Sequence, residues 1–248
     1  YTPTARPAGL SVTVTVSGTP LPVLPRPVGA LGPLVIGRAD RPSVPDQPVL
    51  AWDPVTGPLA VVGIAGSGVT STLRAAAWSA ASAYSPDELH VYAFEGARGS
   101  LAGLEAWTHT GAVVGPGDDD RRRRLLHLID RELRRRRADA GPGPSILVLV
   151  DDANALMADL DAERHGAGVE TLRRLASDGA ALGLHLGFGV DRASGTTAAL
   201  WRGTPNRIVL TVADPADRLA LGLPSSRPRT RPAAPGRGTS VTGAVDLQ

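Results

Sequence analysis

The stretch LAVVGIAGSGVTSTLRAAAWSAASA, from Leu59 to Ala83, decides how this chain is read. Four apolar residues lead into a glycine-rich turn, and the turn leads into a run of helix-favouring residues. A phosphate-binding loop is written G-x-x-x-x-G-K-[ST]. Gly63 and Gly68 hold its two glycine positions and Thr70 its hydroxyl position, but Val69 stands where the lysine belongs. In such a loop, backbone N–H groups and the following helix N-terminus surround phosphate oxygens. Gly63, Gly66, Ser67, Gly68, Val69, Thr70 and Ser71 are therefore the candidate nucleotide-binding residues. Valine carries neither charge nor donor. A hydrogen bond to a charged group is worth about 1.5–3 kcal/mol, so nucleotide binding is expected to be weakened or lost, and hydrolysis more so. A tight strand-to-helix turn without a ligand is the alternative reading of the loop.

A second stretch, ILVLVDD (Ile146–Asp152), is a continuous apolar strand ending in two acids. It looks like a Walker B motif. Thr70 could ligate Mg²⁺, and Asp151 would hold its water shell. Asp152 stands where a carboxylate would orient an attacking water, and it equally suits capping of the next helix, which begins in DDANALM. Further apolar runs read as strands: LHVYAF (Leu89–Phe94), GAVVG (Gly111–Gly115), GLHLGFGV (Gly183–Val190) and NRIVLTV (Asn206–Val212). Helices are expected over Ser71–Tyr84, Asp118–Arg137 and Val169–Leu182. The second of these starts with acids and ends with arginines, as the helix dipole prefers, and sets Leu125, Leu126, Ile129 and Leu133 on one face. Continuous apolar strands alternating with helices predict an α/β fold, a mostly parallel central sheet with helices on both faces.

Outward from this core the composition changes. Residues 1–50 are rich in Pro and Gly, with one alternating stretch, SVTVTVSG (Ser11–Gly18), and read as an extended arm or inter-domain linker carrying a short strand. Residues 51–224 hold the P-loop domain. Residues 225–248 form a Pro/Arg-rich tail in which TSVTG could add a terminal strand. The hydrophobic share of 42% suffices for a core, and the 4% aromatic share makes that core aliphatic. There is no cysteine, so disulfides and thiolate metal sites are excluded. All 26 basic residues are arginine, which lifts the pI to about 9.6 although the formal net charge is only +2. The runs Arg121–Arg124 and Arg134–Arg137 are interleaved with acids and read as a solvated helix face rather than a nucleic-acid stripe. His90, His109, His127, His165 and His185 lack metal-ligand spacing, and His185 reads as a packed strand residue. Ser67 and Ser71 lack the partners of a nucleophile elbow. No apolar run approaches the roughly 20 residues of a membrane span. A cytoplasmic module, cut from or tethered to a longer membrane complex, is the expectation.

Six segments in order now carry a resemblance: VIGRADRPSVPDQPVLAWD, AVVGIAGSGVTSTLRA, SPDELHVYAFEGARGSLAGLEAWTHTGAVV, ILVLVDD, DGAALGLHLGFGVDRA and RIVLTVADPADRLALGLP. Together they resemble the FtsK/SpoIIIE family of RecA-like motor ATPases, and more narrowly the ATPase modules of the EccC/EssC component of type VII secretion. The resemblance implies a RecA-like P-loop core and ATP with Mg²⁺ as the ligands. It also implies partners: neighbouring ATPase modules of the same motor and the C-terminal tail of a secreted substrate. The membrane would be reached only through other parts of the motor, and nucleic acid is not expected. The departures are as informative. The family usually has lysine at the place of Val69, and a Thr-Gln pair that senses the γ-phosphate at the places of Val190 and Asp191. Arg207 matches a frequently present arginine that could complete a neighbour's site. Arg192 and Arg202 are further candidates, and a purely structural role is the alternative for all three. The resemblance implies a degenerate module with little or no ATP hydrolysis, serving substrate recognition or regulation. An active DNA-translocating FtsK-like subunit is the alternative.

Overall fold

The structure is a computed structural model. It describes residues 30–40, 47–96, 99–138, 143–162, 166–192, 197, 200–201, 203–214, 218–219, 221–223, 234–241 and 245–247. The alternating stretch at 11–18, and Arg202, lie outside them.

The strands are β1 (Leu34–Asp40), β2 (Val49–Trp52), β3 (Leu59–Val62), β4 (Leu89–Phe94), β5 (Thr110–Val114), β6 (Ser145–Val150), β7 (Leu184–Val190), β8 (Asn206–Val209), β9 (Gly238–Ser240) and β10 (Val245–Leu247). The helices are α1 (Val69–Ala83), α2 (Asp119–Ala138), α3 (Ala153–Ala162) and α4 (Ala167–Asp178). Among the described residues the strands form one sheet in the order β2-β1-β10-β9-β8-β3-β7-β6-β4-β5. The run from β8 to β5 is parallel throughout. It comprises the six strands expected from the apolar runs. The other four strands pair antiparallel, with the C-terminal β9 and β10 joining β8 to β1.

Alternation along β3 shows why both sheet faces are covered. Leu59 and Val61 pack with Leu73, Ala76, Ala77 and Ala80 of α1. Ala60 and Val62 face the opposite way, into a cluster built from α2, α3 and α4. The small residues of α1 keep that helix close to the sheet. Leu125, Leu126, Ile129 and Leu133 of α2 are all buried, as their spacing predicts. The predicted helix over Val169–Leu182 is shorter: α4 ends at Asp178, and a separate 3₁₀ turn covers Ala180–Leu182. A side chain at the intervening Gly179 would sit 2.3 Å from the Leu175 carbonyl.

The arginine runs are not uniformly solvated. Arg122 and Arg136 are buried. Arg136 donates to the carbonyls of Leu182 (2.9 Å) and Pro144 (2.5 Å) and to Glu132 (2.6 Å), tying α2 to the segments that open β6 and β7. Hydrogen bonds from Arg135 and Arg136 lower the Glu132 carboxyl to about 2, against the effect of its partial burial. His185 is packed in β7 as expected, with Nδ1 3.2 Å from the Pro54 carbonyl. Burial lowers its pKa to about 4, so it is neutral at physiological pH.

Candidate functional site

In a parallel sheet the free ends of the strands are where ligands bind. Here the carboxyl ends of β3, β4, β6 and β7 surround a cavity of about 580 Å³. After β3 the backbone turns sharply: Gly63 N–H donates to Val190 O (3.0 Å), Ile64 N–H to Thr211 O (2.8 Å), and Ser67 N–H back to Ile64 O (3.0 Å). The two motif glycines are required for different reasons. A Cβ on Gly63 would lie 2.3 Å from the Ser67 hydroxyl, which is buried beneath the loop. Gly68 has φ +112°, in the region that favours glycine, and a Cβ there would meet the backbone N of Gly236 at 2.9 Å. Gly236 N–H donates to Ser67 O (2.7 Å), so a C-terminal segment lies against the loop, and Pro235 joins the cavity wall.

Helix α1 starts at Val69, and its first described internal bond runs from Thr72 N–H to Gly68 O (2.9 Å). The preceding N–H groups have no partner within the helix, and Gly68–Ser71 line the cavity. The loop therefore offers the donors and partial positive charge that suit an anion. Opposite it, Thr70 Oγ1 donates to the Asp151 carboxylate (3.0 and 3.2 Å to its two oxygens), and the Ser100 hydroxyl donates to the same carboxylate. Asp152 has φ +69° and accepts from Ala155 N–H (3.0 Å), so it caps α3 while also lining the cavity.

Position 69 is filled in an apolar way. Val69 Cγ1 lies 2.4 Å from where a Cβ on Gly189 would be, so the side chain rests on the bare backbone of β7. Val190 is buried and contributes only its carbonyl, to Gly63. Asp191 is exposed, and its carboxylate accepts from the Asn154 amide. Arg207 sits elsewhere. It is in register with Ala60, back along the sheet from the loop; its Nε donates to Thr204 O (2.7 Å) and its guanidinium lies 5.1 Å from the Trp201 ring.

Ser100 was not singled out from sequence. It lies in the turn after β4, and nothing local to GARGS announces its approach to Asp151. Next to it, the backbones of Leu101 and Ala102 hydrogen-bond to Glu95, whose carboxyl is nevertheless raised by burial; among the described residues its Oε1 is buried without a partner.

The residues fit a metal-bound nucleotide better than a bare polyanion. Asp151, Asp152 and Asp191 face the cavity, and Arg192 is the cation among its described lining residues. A free triphosphate would meet net repulsion. A hydrated Mg²⁺ suits the hydroxyl–carboxylate pair of Thr70 and Asp151 and offsets that charge.

Residues 29–140 match the FtsK/SpoIIIE family model. Over 84% of its length the chain is 28% identical to the ESX-4 secretion system protein EccC4 of Mycobacterium tuberculosis, and over 78% it is 26% identical to the ESX secretion system protein EccC of Thermomonospora curvata. It spans only 18% and 17% of the lengths of those curated relatives. Its fold superposes on EssC (ATPases 2 and 3) from Geobacillus thermodenitrificans with a TM-score of 0.74 at 22% identity, covering 92% of this chain and 47% of that one. For Thermomonospora curvata EccC (ATPases 2 and 3) in complex with a signal sequence peptide, the TM-score is 0.70 at 25% identity, covering 88% and 42%. The chain is therefore similar over residues 29–140 to the FtsK/SpoIIIE family, and over most of its length to the EccC ATPases of type VII secretion.

Proposed function

We propose that this chain is a hydrolysis-impaired ATPase module of a type VII secretion motor, one that holds Mg·ATP as a structural or regulatory ligand. The observation that carries this reading is the combination at one cavity of an intact Thr70–Asp151 pair with Val69 packed on Gly189. The pair supplies what metal binding needs. The valine withholds the charge that would stabilise the terminal phosphates as they separate.

Thr70 and Asp151 would hold Mg²⁺, which would offset the charge of the phosphates. Everything else is the chain's own work. The glycine loop and the α1 N-terminus orient the phosphates. Asp152, shorter than glutamate and engaged with Ala155 N–H, is poorly placed to take a proton from water. Val190 offers no side-chain donor, and Asp191 would repel a γ-phosphate. Arg207 lies back along the sheet from this cavity, and in this reading it would serve a neighbouring module's site rather than this one.

The partners in this reading are adjoining ATPase modules and the tail of a secreted protein. The EccC structure with a signal sequence peptide supports that class of partner. The arginine runs favour protein over nucleic acid. Arg121, Arg122, Arg123, Arg134, Arg135, Arg136 and Arg137 each pair with an acid, among them Asp119, Asp130, Glu132 and Asp178. Their charge is thus balanced within the chain and not offered to a phosphate backbone. Among the described residues no helix is long and apolar enough to cross a membrane, which fits a cytoplasmic module attached through other parts of the motor.

Calorimetric titration with Mg·ATP, followed by assay for phosphate release, tests the proposal. Binding that EDTA abolishes, without turnover, is the expected result. Sustained turnover by the isolated chain would refute the impairment, and no binding would refute the nucleotide role.

A further inference from the structure

The loss of the loop lysine raises the question of which group meets the terminal phosphates. Among the described residues lining the cavity, Arg192 is the cation. It follows the end of β7, the strand directly beside β3. Val190 is in register with Val62, and Gly63 N–H donates to Val190 O. Arg192 therefore leaves the sheet at the level where Ile64 begins the glycine loop.

The backbone at this point is pinned. The Asn154 amide donates to Arg192 O (3.3 Å) and also to the Asp191 carboxylate, and Asn154 Oδ1 accepts from Thr197 Oγ1 (2.7 Å). Asn154 thus holds Asp191 toward α3 and fixes the base of Arg192. Unlike most arginines of α2, Arg192 forms no ion pair with the described residues. It is exposed and lines the cavity. A planar fork of donors matches two oxygens of a phosphate in a way a point charge does not.

We propose that Arg192 binds the terminal phosphates of a nucleoside triphosphate within its own chain, acting from the end of β7 in place of the residue at position 69. This rests on the nucleotide reading above and adds to it the residue that selects triphosphate over monophosphate. Arginine at the end of a neighbouring strand compensates binding without restoring the chemistry, because it does not travel with the loop.

The test is calorimetry on the full chain with Mg·ATP and with AMP, comparing the native protein, Arg192→Ala, Arg192→Lys and the double variant Val69→Lys/Arg192→Ala. Loss of one charged hydrogen-bonding group corresponds to about a 10- to 100-fold drop in affinity. Arg192→Ala is expected to lose that much for Mg·ATP and nothing for AMP. Arg192→Lys should keep part of the affinity, and the double variant should regain part of it by placing the charge at the loop. Native-level Mg·ATP binding by Arg192→Ala would overturn the proposal while leaving the nucleotide reading intact. Equal losses for Mg·ATP and AMP would also overturn it, since they would mark a structural role. Failure of the native chain to bind Mg·ATP would overturn both.

Discussion

Two neighbouring strand ends in this sheet have diverged in opposite directions. After β3, the glycine loop keeps its turn, its helix N-terminus and the Thr70 hydroxyl aimed at Asp151. After β7, which lies beside β3, stand a buried valine, Val190, and an aspartate held by Asn154, at the places the family resemblance assigns to a γ-phosphate sensor. Val69 joins the two ends, because it rests on Gly189 of β7. On the proposed reading, the difference teaches that ligand binding and ligand turnover occupy separable parts of one cavity. The groups that cradle phosphate are mostly backbone, and they survive as long as the turn survives. The groups that act on the transition state are side chains, and single substitutions remove them.

The contrast can be broken most strongly on the retained side. Asp151→Ala removes the carboxylate that two hydroxyls converge on, and the account expects Mg·ATP affinity to fall at least about 100-fold by calorimetry, since even outer-shell metal partners are worth 10- to 100-fold. A smaller effect tests the packing that joins the two ends. Gly189→Ala would drive a methyl into Val69 and should cost about 1–3 kcal/mol in urea unfolding. Most of that cost should vanish in a Val69→Ala background, which makes the pair a measurable coupling. Val69→Lys sharpens the contrast. It is expected to raise Mg·ATP affinity about tenfold, the worth of one charged hydrogen bond, yet to leave phosphate release undetected while Val190 and Asp191 remain. A change of similar size is expected from Ser100→Ala, about a tenfold loss of Mg·ATP affinity, the low end for a group that orients a metal-holding carboxylate.

The parts of the fold legible in the sequence are those with a strong apolar signal. The strands β3, β6 and β7 are apolar runs such as LAVV and SILVLV that are buried on both sides, so each announces itself without help from its neighbours. β4 and β5 are mostly apolar as well, as is the run NRIVLTV that holds β8. The antiparallel strands do not. In β1 and β2 exposed and buried residues mix, and glycine interrupts LVIGRAD. β10 is three residues long, too short for any period. Within the site, Gly63, Gly68, Thr70 and Asp151 were readable because motif spacing encodes their meeting. Ser100 and Pro235 come to the cavity only through tertiary folding. Arg136 misled for a related reason: an arginine in a charged run looks solvated until the carbonyls of Pro144 and Leu182 are brought to it.

The central claim is that the chain holds a triphosphate it does not split. The most direct measurement incubates the full chain with Mg²⁺ and radiolabelled ATP, separates protein from free nucleotide, and identifies what remains bound. The account predicts ATP, lost when the metal is chelated. Bound ADP with released phosphate, or no bound nucleotide at all, would contradict it.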